Sequence, residues 1–286
     1  NLINPIFTNC FEKTPFSCNN CMKMGSFMYI KQESYLTEWF SKKNRKPLII
    51  RGARQVGKST LIRNFAIKSK LNLFEINLEL HPELEAVFIQ NSPEKVLTIL
   101  SDILQKQIQP NHNALLFLDE IQATPHAISC LRYFYEKLPE LAVVAAGSLL
   151  EFTLNDHDYP MPVGRIEYLY IGPMTFEEFL KAKKENYILE KLQNLNNLNE
   201  ITEPFHEKAL AHLREYLFIG GMPEAISTYI NYGIEEVPKI QNQILSTYTS
   251  DFVKYSKKSH LLKIQKIFHY IYLHPLKKIK FTNISA

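Results

Sequence analysis

Along the chain, short apolar runs of strand length alternate with stretches whose apolar residues recur at helical spacing. Pro47-Leu48-Ile49-Ile50-Arg51 has the length and composition of a buried strand. Directly after it, Leu61 with Phe65 and Ile62 with Ala66 recur four residues apart, one face of a helix. The same reading predicts strands at Leu48–Arg51, Leu73–Leu78, Ala114–Asp119, Leu141–Gly147 and Ile166–Ile171, with helices over Lys58–Ser69, Pro93–Gln107, Pro125–Leu138 and Thr175–Lys184. Thr175 followed three residues later by Glu178 has the form of a capping box, which marks the start of the last of these. Such alternation predicts an α/β fold in which helices cover a parallel sheet.

Beyond this region the pattern changes. From Asn186 to Glu203 the composition shifts to Asn, Gln, Leu, Lys and Glu, and Leu189, Leu192, Leu195 and Leu198 recur every third residue, as in a helical arm. Helical spacing resumes at Pro204 and continues to Phe218; Gly220-Gly221-Met222-Pro223 then reads as a helix stop and a fresh start. The rest, to about Leu273, reads as wholly helical. Upstream, residues 1–27 have no clear period, and Met28-Tyr29-Ile30-Lys31 opens a helical pattern through Tyr35, Leu36, Trp39 and Phe40. The expected divisions are a poorly ordered or non-native extension at 1–27, an α/β domain at 28–185, an arm or linker at 186–203 and a partial helical domain at 204–286. No internal repeat is visible.

With 45% hydrophobic and 22% charged residues, the 286-residue chain has the composition of a soluble globular protein. No apolar run approaches the roughly 18 residues of a membrane helix. The first residues lack the basic-then-apolar layout of a secretory signal, so a cytoplasmic location is expected and no membrane partner. Cys18-Asn19-Asn20-Cys21 has the spacing of half a zinc site. No second pair follows, so reduced thiols are the expected state of Cys10, Cys18 and Cys21, with Cys130 buried on a helix.

Chemistry enters with Gly52-Ala53-Arg54-Gln55-Val56-Gly57-Lys58-Ser59, a complete phosphate-binding loop set between an expected strand and an expected helix. Its glycines let backbone N–H groups turn inward toward phosphate oxygens. Lys58 is placed to reach the β- and γ-phosphates, Ser59 to give its hydroxyl to Mg2+, and the helix opening through Thr60 to aim its positive end at the same anion. Leu115-Leu116-Phe117-Leu118-Asp119-Glu120 is the second signal. A strand buried on both faces reads as a continuous apolar run, and ligands of open α/β sheets sit at the strands' carboxyl ends. Asp119 is therefore expected at the Mg2+ held by Ser59, and Glu120 as the base that polarises the attacking water.

Ser148, after the apolar run Leu141–Gly147, suits either contact with the γ-phosphate or the N-cap of a helix over Leu149-Leu150-Glu151. Arg165, after Gly164, suits either phosphate recognition or a structural ion pair. Arg51 and Arg54 read as structural or solvated side chains, and Gln122 as a group that helps position others near the γ-phosphate.

Gly52–Thr60, Leu118-Asp119-Glu120-Ile121-Gln122, Gly147-Ser148, Gly164-Arg165 and Pro173-Met174-Thr175-Phe176-Glu177-Glu178-Phe179 together resemble a family of predicted prokaryotic AAA+-like ATPases. These pair an N-terminal ATPase domain with a C-terminal domain of unknown function. Phe218-Ile219-Gly220-Gly221-Met222-Pro223-Glu224 looks like the family's Gly-Gly-x-Pro-Glu signature at the domain junction, and the resemblance runs from about Tyr29 to the end. It implies a P-loop fold of the additional-strand catalytic-glutamate type with strand order 5-1-4-3-2, and ATP with Mg2+. It further implies Ser148 as a sensor-like residue and Arg165 as an arginine facing a phosphate, in its own site or in that of a neighbouring subunit of a homo-oligomer. The family's C-terminal domain runs on past residue 286, so the chain looks C-terminally truncated.

After Asp251 no acid occurs, while Lys254, Lys257, Lys258, Lys263, Lys266, Lys277, Lys278 and Lys280 gather among Tyr255, Tyr270 and Phe281. Such a stretch suits either the phosphate backbone of DNA or a solvated helix face. The expected function is that of an ATP-binding protein acting as an Mg-dependent ATPase on the β–γ phosphoanhydride bond. The alternative is a nucleotide-switched DNA-binding or regulatory module with little hydrolysis.

Overall fold

The five apolar runs form five strands, β1 (Leu48–Arg51), β2 (Asn72–Asn77), β3 (Ala114–Asp119), β4 (Ala142–Gly147) and β5 (Glu167–Tyr170), every neighbouring pair parallel. The computed structural model describes residues 30–148, 164–195, 201–255 and 258–274, together with 162 and 278. The strands form one sheet in the order β2-β3-β4-β1-β5, which read from the β5 edge is 5-1-4-3-2. Every residue of β3 and β4 is buried, whereas the edge strands β2 and β5 are only partly covered. A parallel strand covered by helices on both faces has no polar side to show, hence the unbroken apolar runs in the middle of the sheet.

The period of two along each strand divides the core between the two faces. On one face Leu48, Ile50, Leu115, Phe117, Val144 and Ala146 pack with Trp39 of α1 (Ile30–Ser41) and with Leu61 and Phe65 of α2 (Lys58–Lys68). On the other, Ile49, Leu116, Leu118, Val143 and Ala145 meet Val96 and Leu100 of α3 (Pro93–Leu104) and Leu131 and Phe134 of α4 (Pro125–Lys137). Trp39 is fully buried, and its indole N–H donates to the Lys46 carbonyl at 2.8 Å, which ties α1 to the entry of β1. The helix expected to run to Gln107 ends at Leu104 because Gln105 turns to the left-handed region, φ 51°.

After β5 the chain is helical. α5 (Phe176–Ala182) opens with the expected capping box, Thr175 and Glu178 each bonded to the other's backbone N–H. The leucine-rich stretch begins as α6 (Asn186–Gln193), whose Ile188 and Leu189 pack with Leu180 and Phe205. Its continuation at 196–200, with Leu198, lies outside the described residues. α7 (Glu203–Ile219), α8 (Pro223–Tyr232), α9 (Val237–Tyr255) and α10 (Lys258–Leu273) complete the chain as described. Ile219, Ala225, Ile226 and Val237 join the same buried cluster as the sheet face under α1 and α2, so the helical half shares its core with the α/β half.

The glycine pair between α7 and α8 has a steric cause. A Cβ on Gly221 would stand 2.4 Å from the Met174 carbonyl oxygen and 2.9 Å from Pro173 Cβ. That approach lets the Met174 N–H donate to the Gly221 carbonyl at 2.7 Å, while the Tyr216 hydroxyl donates to the Met174 carbonyl at 2.7 Å. Gly221→Ala forces these backbones apart, and we expect a loss of about 2 kcal/mol or more, read as a lowered denaturation midpoint. An unchanged midpoint would show that the junction yields without strain.

Candidate phosphate-binding site

At the carboxyl end of β1 the chain turns through Gly52 (φ 155°), Gln55 (φ 62°) and Gly57 (φ 89°) into α2. Gly52 lies against the end of the neighbouring strand, where a Cβ would come within 2.1 Å of the Ile171 carbonyl oxygen. Val56 is fully buried and pins the middle of the loop to the core. No side chain caps the N-terminus of α2 and its first turn, which includes Thr60, holds no acid, so the positive end of the helix faces the loop uncompensated.

Lys58 is 7% exposed, and its ammonium group donates to the carbonyls of Gly52 at 2.9 Å and Ala53 at 2.8 Å. Burial pulls its pKa below the ordinary lysine value, against the opposing pull of the Glu120 and Asp119 carboxylates. Beside it, the Ser59 hydroxyl donates to Asp119 Oδ2 at 2.7 Å, and the Glu120 N–H donates to Asp119 Oδ1 at 3.0 Å. Burial raises the Asp119 carboxyl above its ordinary value, with the Ser59 hydrogen bond working in the other direction.

Glu120 stands just past β3 with φ 52° and is half-buried. Its Oε2 accepts from the Gln122 side-chain amide at 2.5 Å and from the Ser148 hydroxyl at 3.5 Å. Lys58, Ser59, Asp119, Glu120, Gln122 and Ser148 thus converge where β1, β3 and β4 end, the edge at which open α/β sheets hold their ligands. The N-cap alternative for Ser148 falls on residues 149–151, outside the described residues.

The oxygen donors suit a hard divalent cation. Ser59 and Asp119 supply one hydroxyl and one carboxylate, already in contact. No group of three or more His, Cys, Asp or Glu able to hold a metal occurs among the described residues. Mg2+ keeps waters and takes one or two protein oxygens together with substrate phosphates, which matches a two-donor site.

Arg165 is not brought to this site. Glu167 pairs with Leu48, and its N–H donates to the Pro47 carbonyl, so Arg165 sits where β1 begins, at the sheet edge opposite the loop. The length of β1 alone puts at least about 10 Å between that edge and Gly52. Its guanidinium pairs with Glu136 at 3.2 Å, near the end of α4 that has run back to the same edge. The expectation that Arg165 faces the γ-phosphate of its own site is therefore corrected. We expect Arg165→Ala to leave affinity for a fluorescent ATP analogue unchanged; weakened binding would contradict this placement.

Arg51 stacks 4.0 Å over the Tyr168 ring and donates to the Tyr170 hydroxyl, a structural role along the sheet edge. Cys130 is buried in α4 and its thiol is pushed up to about 12 by burial; Cys10, Cys18 and Cys21 lie outside the described residues. Of the C-terminal lysines, the side chains of Lys254, Lys257, Lys258, Lys277 and Lys280 lie outside them too, and Lys263 and Lys266 are carried by α10. No helix among the described residues is long and apolar enough to cross a membrane.

One arrangement escaped the sequence reading. The Tyr248 hydroxyl on α9 donates to the Arg54 carbonyl in the loop at 3.0 Å, and Asp251 Oδ2 lies 3.0 Å from Arg54 Nε. The only hint in the sequence was that Asp251 is the last acid before a run of lysines.

Residues 44–180 match the family described as an AAA domain, and residues 210–286 match a domain of unknown function (DUF8612). No curated protein matches the sequence. Among solved structures, the Walker-type ATPase PABY2304 of Pyrococcus abyssi is 18% identical, covers 80% of this chain and 74% of its own, and superposes with a TM-score of 0.46. The ORC2 protein of Aeropyrum pernix, solved with ADPNP and ADP, is 13% identical over 97% of this chain and 80% of its own, with a TM-score of 0.44. PCH-2 of C. elegans is 12% identical over 80% and 71%, with a TM-score of 0.41. At these scores the likeness is loose and bears on neither substrate nor assembly.

Proposed function

From the premise that this chain joins an AAA domain to a domain of unknown function, we propose that it binds ATP with Mg2+ and hydrolyses the β–γ phosphoanhydride bond. The observation that carries the reading is the contact of Ser59 with Asp119 at 2.7 Å beside a buried Lys58, at the mouth of a glycine loop. The loop residues Gly52 to Thr60 hold the phosphates through backbone N–H groups and the N-terminus of α2. Lys58, already oriented by two loop carbonyls, extends its remaining N–H toward the β- and γ-phosphates. Ser59 and Asp119 hold Mg2+, which when bound neutralises developing charge on the phosphate oxygens.

Glu120 is the general base for the attacking water. Gln122 and Ser148 grip one oxygen of its carboxylate and so orient the other. Ser148 serves as the sensor-like group at the end of the strand inserted between β1 and β3. That insertion, together with Glu120, supports assignment to the additional-strand catalytic-glutamate type. In this reading residues 28–185 belong to the ATPase domain, 186–203 to an arm or linker, and 204–286 to a partial helical domain. Arg165, paired with Glu136, then takes its structural alternative; an action in trans on a neighbouring subunit's γ-phosphate would instead make specific activity rise with protein concentration in the parent but not in Arg165→Ala.

The test of the site is the Mg2+ dependence of nucleotide binding. A fluorescent ATP analogue is expected to bind far more tightly with Mg2+ than with EDTA, and Asp119→Asn, which keeps shape but loses charge, is expected to erase that difference. A variant that retains the full Mg2+ effect would remove Asp119 from the metal site.

A further inference from the structure

The loop that would hold the phosphates is itself held by the other half of the chain. α9, which lies within residues 210–286, reaches it at Arg54 twice over. Tyr248 donates its hydroxyl to the Arg54 carbonyl at 3.0 Å, and Asp251 pairs with the Arg54 guanidinium at 3.0 Å. Both contacts are sheltered: the side chains of Arg54 and Asp251 are 22% and 11% exposed. Neighbouring rings support them, with Phe268 of α10 against Tyr248 at 6.3 Å between centroids and against Phe252 at 5.0 Å.

The position of these contacts matters more than their number. A trans peptide points its N–H opposite to its C=O, so the bond that fixes the Arg54 carbonyl also fixes the direction of the Gln55 N–H. The two preceding loop carbonyls, Gly52 and Ala53, are fixed by Lys58. Three consecutive loop peptides are therefore oriented by side-chain donors, two from inside the α/β half and one from α9. A loop pre-set in this way binds its anion without a further ordering cost.

We infer that the phosphate site is shared between the two halves of the chain, with Tyr248 and Asp251 as positioning residues that set the loop through Arg54. This rests on the ATP reading above. Because coupling between sites is reciprocal, whatever α9 and its domain bind must alter nucleotide affinity by the same factor by which nucleotide alters theirs. The helical domain is thereby linked to the occupancy of the loop.

The test uses the whole chain with Tyr248→Phe and Asp251→Asn. Tyr248→Phe removes one oxygen and keeps the ring on Phe268; each variant loses a sheltered contact and is expected to melt a few degrees lower, so binding is compared at a temperature where all the chains remain folded. Each is expected to bind a fluorescent ATP analogue with Mg2+ about 5-fold or more weakly, the lower end of measured couplings. Asp251→Glu, which restores the charge, is expected to recover most of the affinity. In the parent, a non-hydrolysable ATP analogue is expected to slow amide hydrogen exchange across residues 245–255, and in the double variant Tyr248→Phe/Asp251→Asn this protection is expected to vanish. A purely structural contact would lower the melting temperature and leave both nucleotide affinity and nucleotide-dependent exchange untouched. A parent that binds the analogue with no change at 245–255, or variants that bind as the parent does, would overturn the inference and leave the ATP site standing. A parent that binds no ATP analogue would overturn both.

Discussion

Glu120→Gln is expected to keep Mg-ATP bound while hydrolysis falls by roughly 10²-fold or more, the scale of a lost general base. Glutamine preserves the length and hydrogen-bonding reach of the side chain, so the grip of Gln122 and Ser148 on this position is largely retained. What disappears is the carboxylate that takes a proton from water. Lys58 and the Ser59–Asp119 contact are untouched, so the binding half of the site should be intact. The split is diagnostic: equal losses of affinity and turnover would point to a disturbed loop, and parental turnover would make Glu120 only the residue that turns the chain after β3.

Lys58→Ala has the larger expected effect on binding. The variant removes a buried ammonium group and also leaves the Gly52 and Ala53 carbonyls without the donor that holds them. A charge-assisted hydrogen bond to phosphate and a loosened loop together are expected to exceed about 3 kcal/mol, or roughly 100-fold in affinity for a fluorescent ATP analogue. Affinity within a few-fold of the parent would remove the loop from the binding site altogether.

Much of this architecture was legible because it follows from local rules. β3 reads as a buried strand since Leu115–Leu118 leave no polar side, and Asp119 and Glu120 mark the carboxyl end at which that strand meets the site. The loop declares itself through Gly52, Gly57, Lys58 and Ser59, because few other residues can make that turn or carry that charge. The position of Arg165 was not legible in the same way. Its distance from the loop depends on the register of β5 against β1, which places Glu167 beside Leu48, and no residue-level pattern encodes that register. The strand order likewise entered only through the resemblance.

The contact of α9 with the loop lies furthest from sequence reasoning. Tyr248 and Arg54 are 194 residues apart, and neither belongs to a recognisable pattern with the other. The packing of Ile219, Ala225, Ile226 and Val237 against the sheet face, with the bonds of Gly221 and Tyr216 to Met174, brings the two together. Gly221 is an intermediate case, since the glycine pair announced a helix break but not the close approach to Met174 that requires it.

Steady-state release of inorganic phosphate from ATP by the whole chain, with Mg2+ and with EDTA, separates a site that turns over ATP from one that only holds it. Saturable release is expected with Mg2+, none with EDTA, and loss of at least about 99% of the rate in Glu120→Gln. Tight Mg-ATP binding without phosphate release would contradict turnover and favour a nucleotide-switched regulatory module instead.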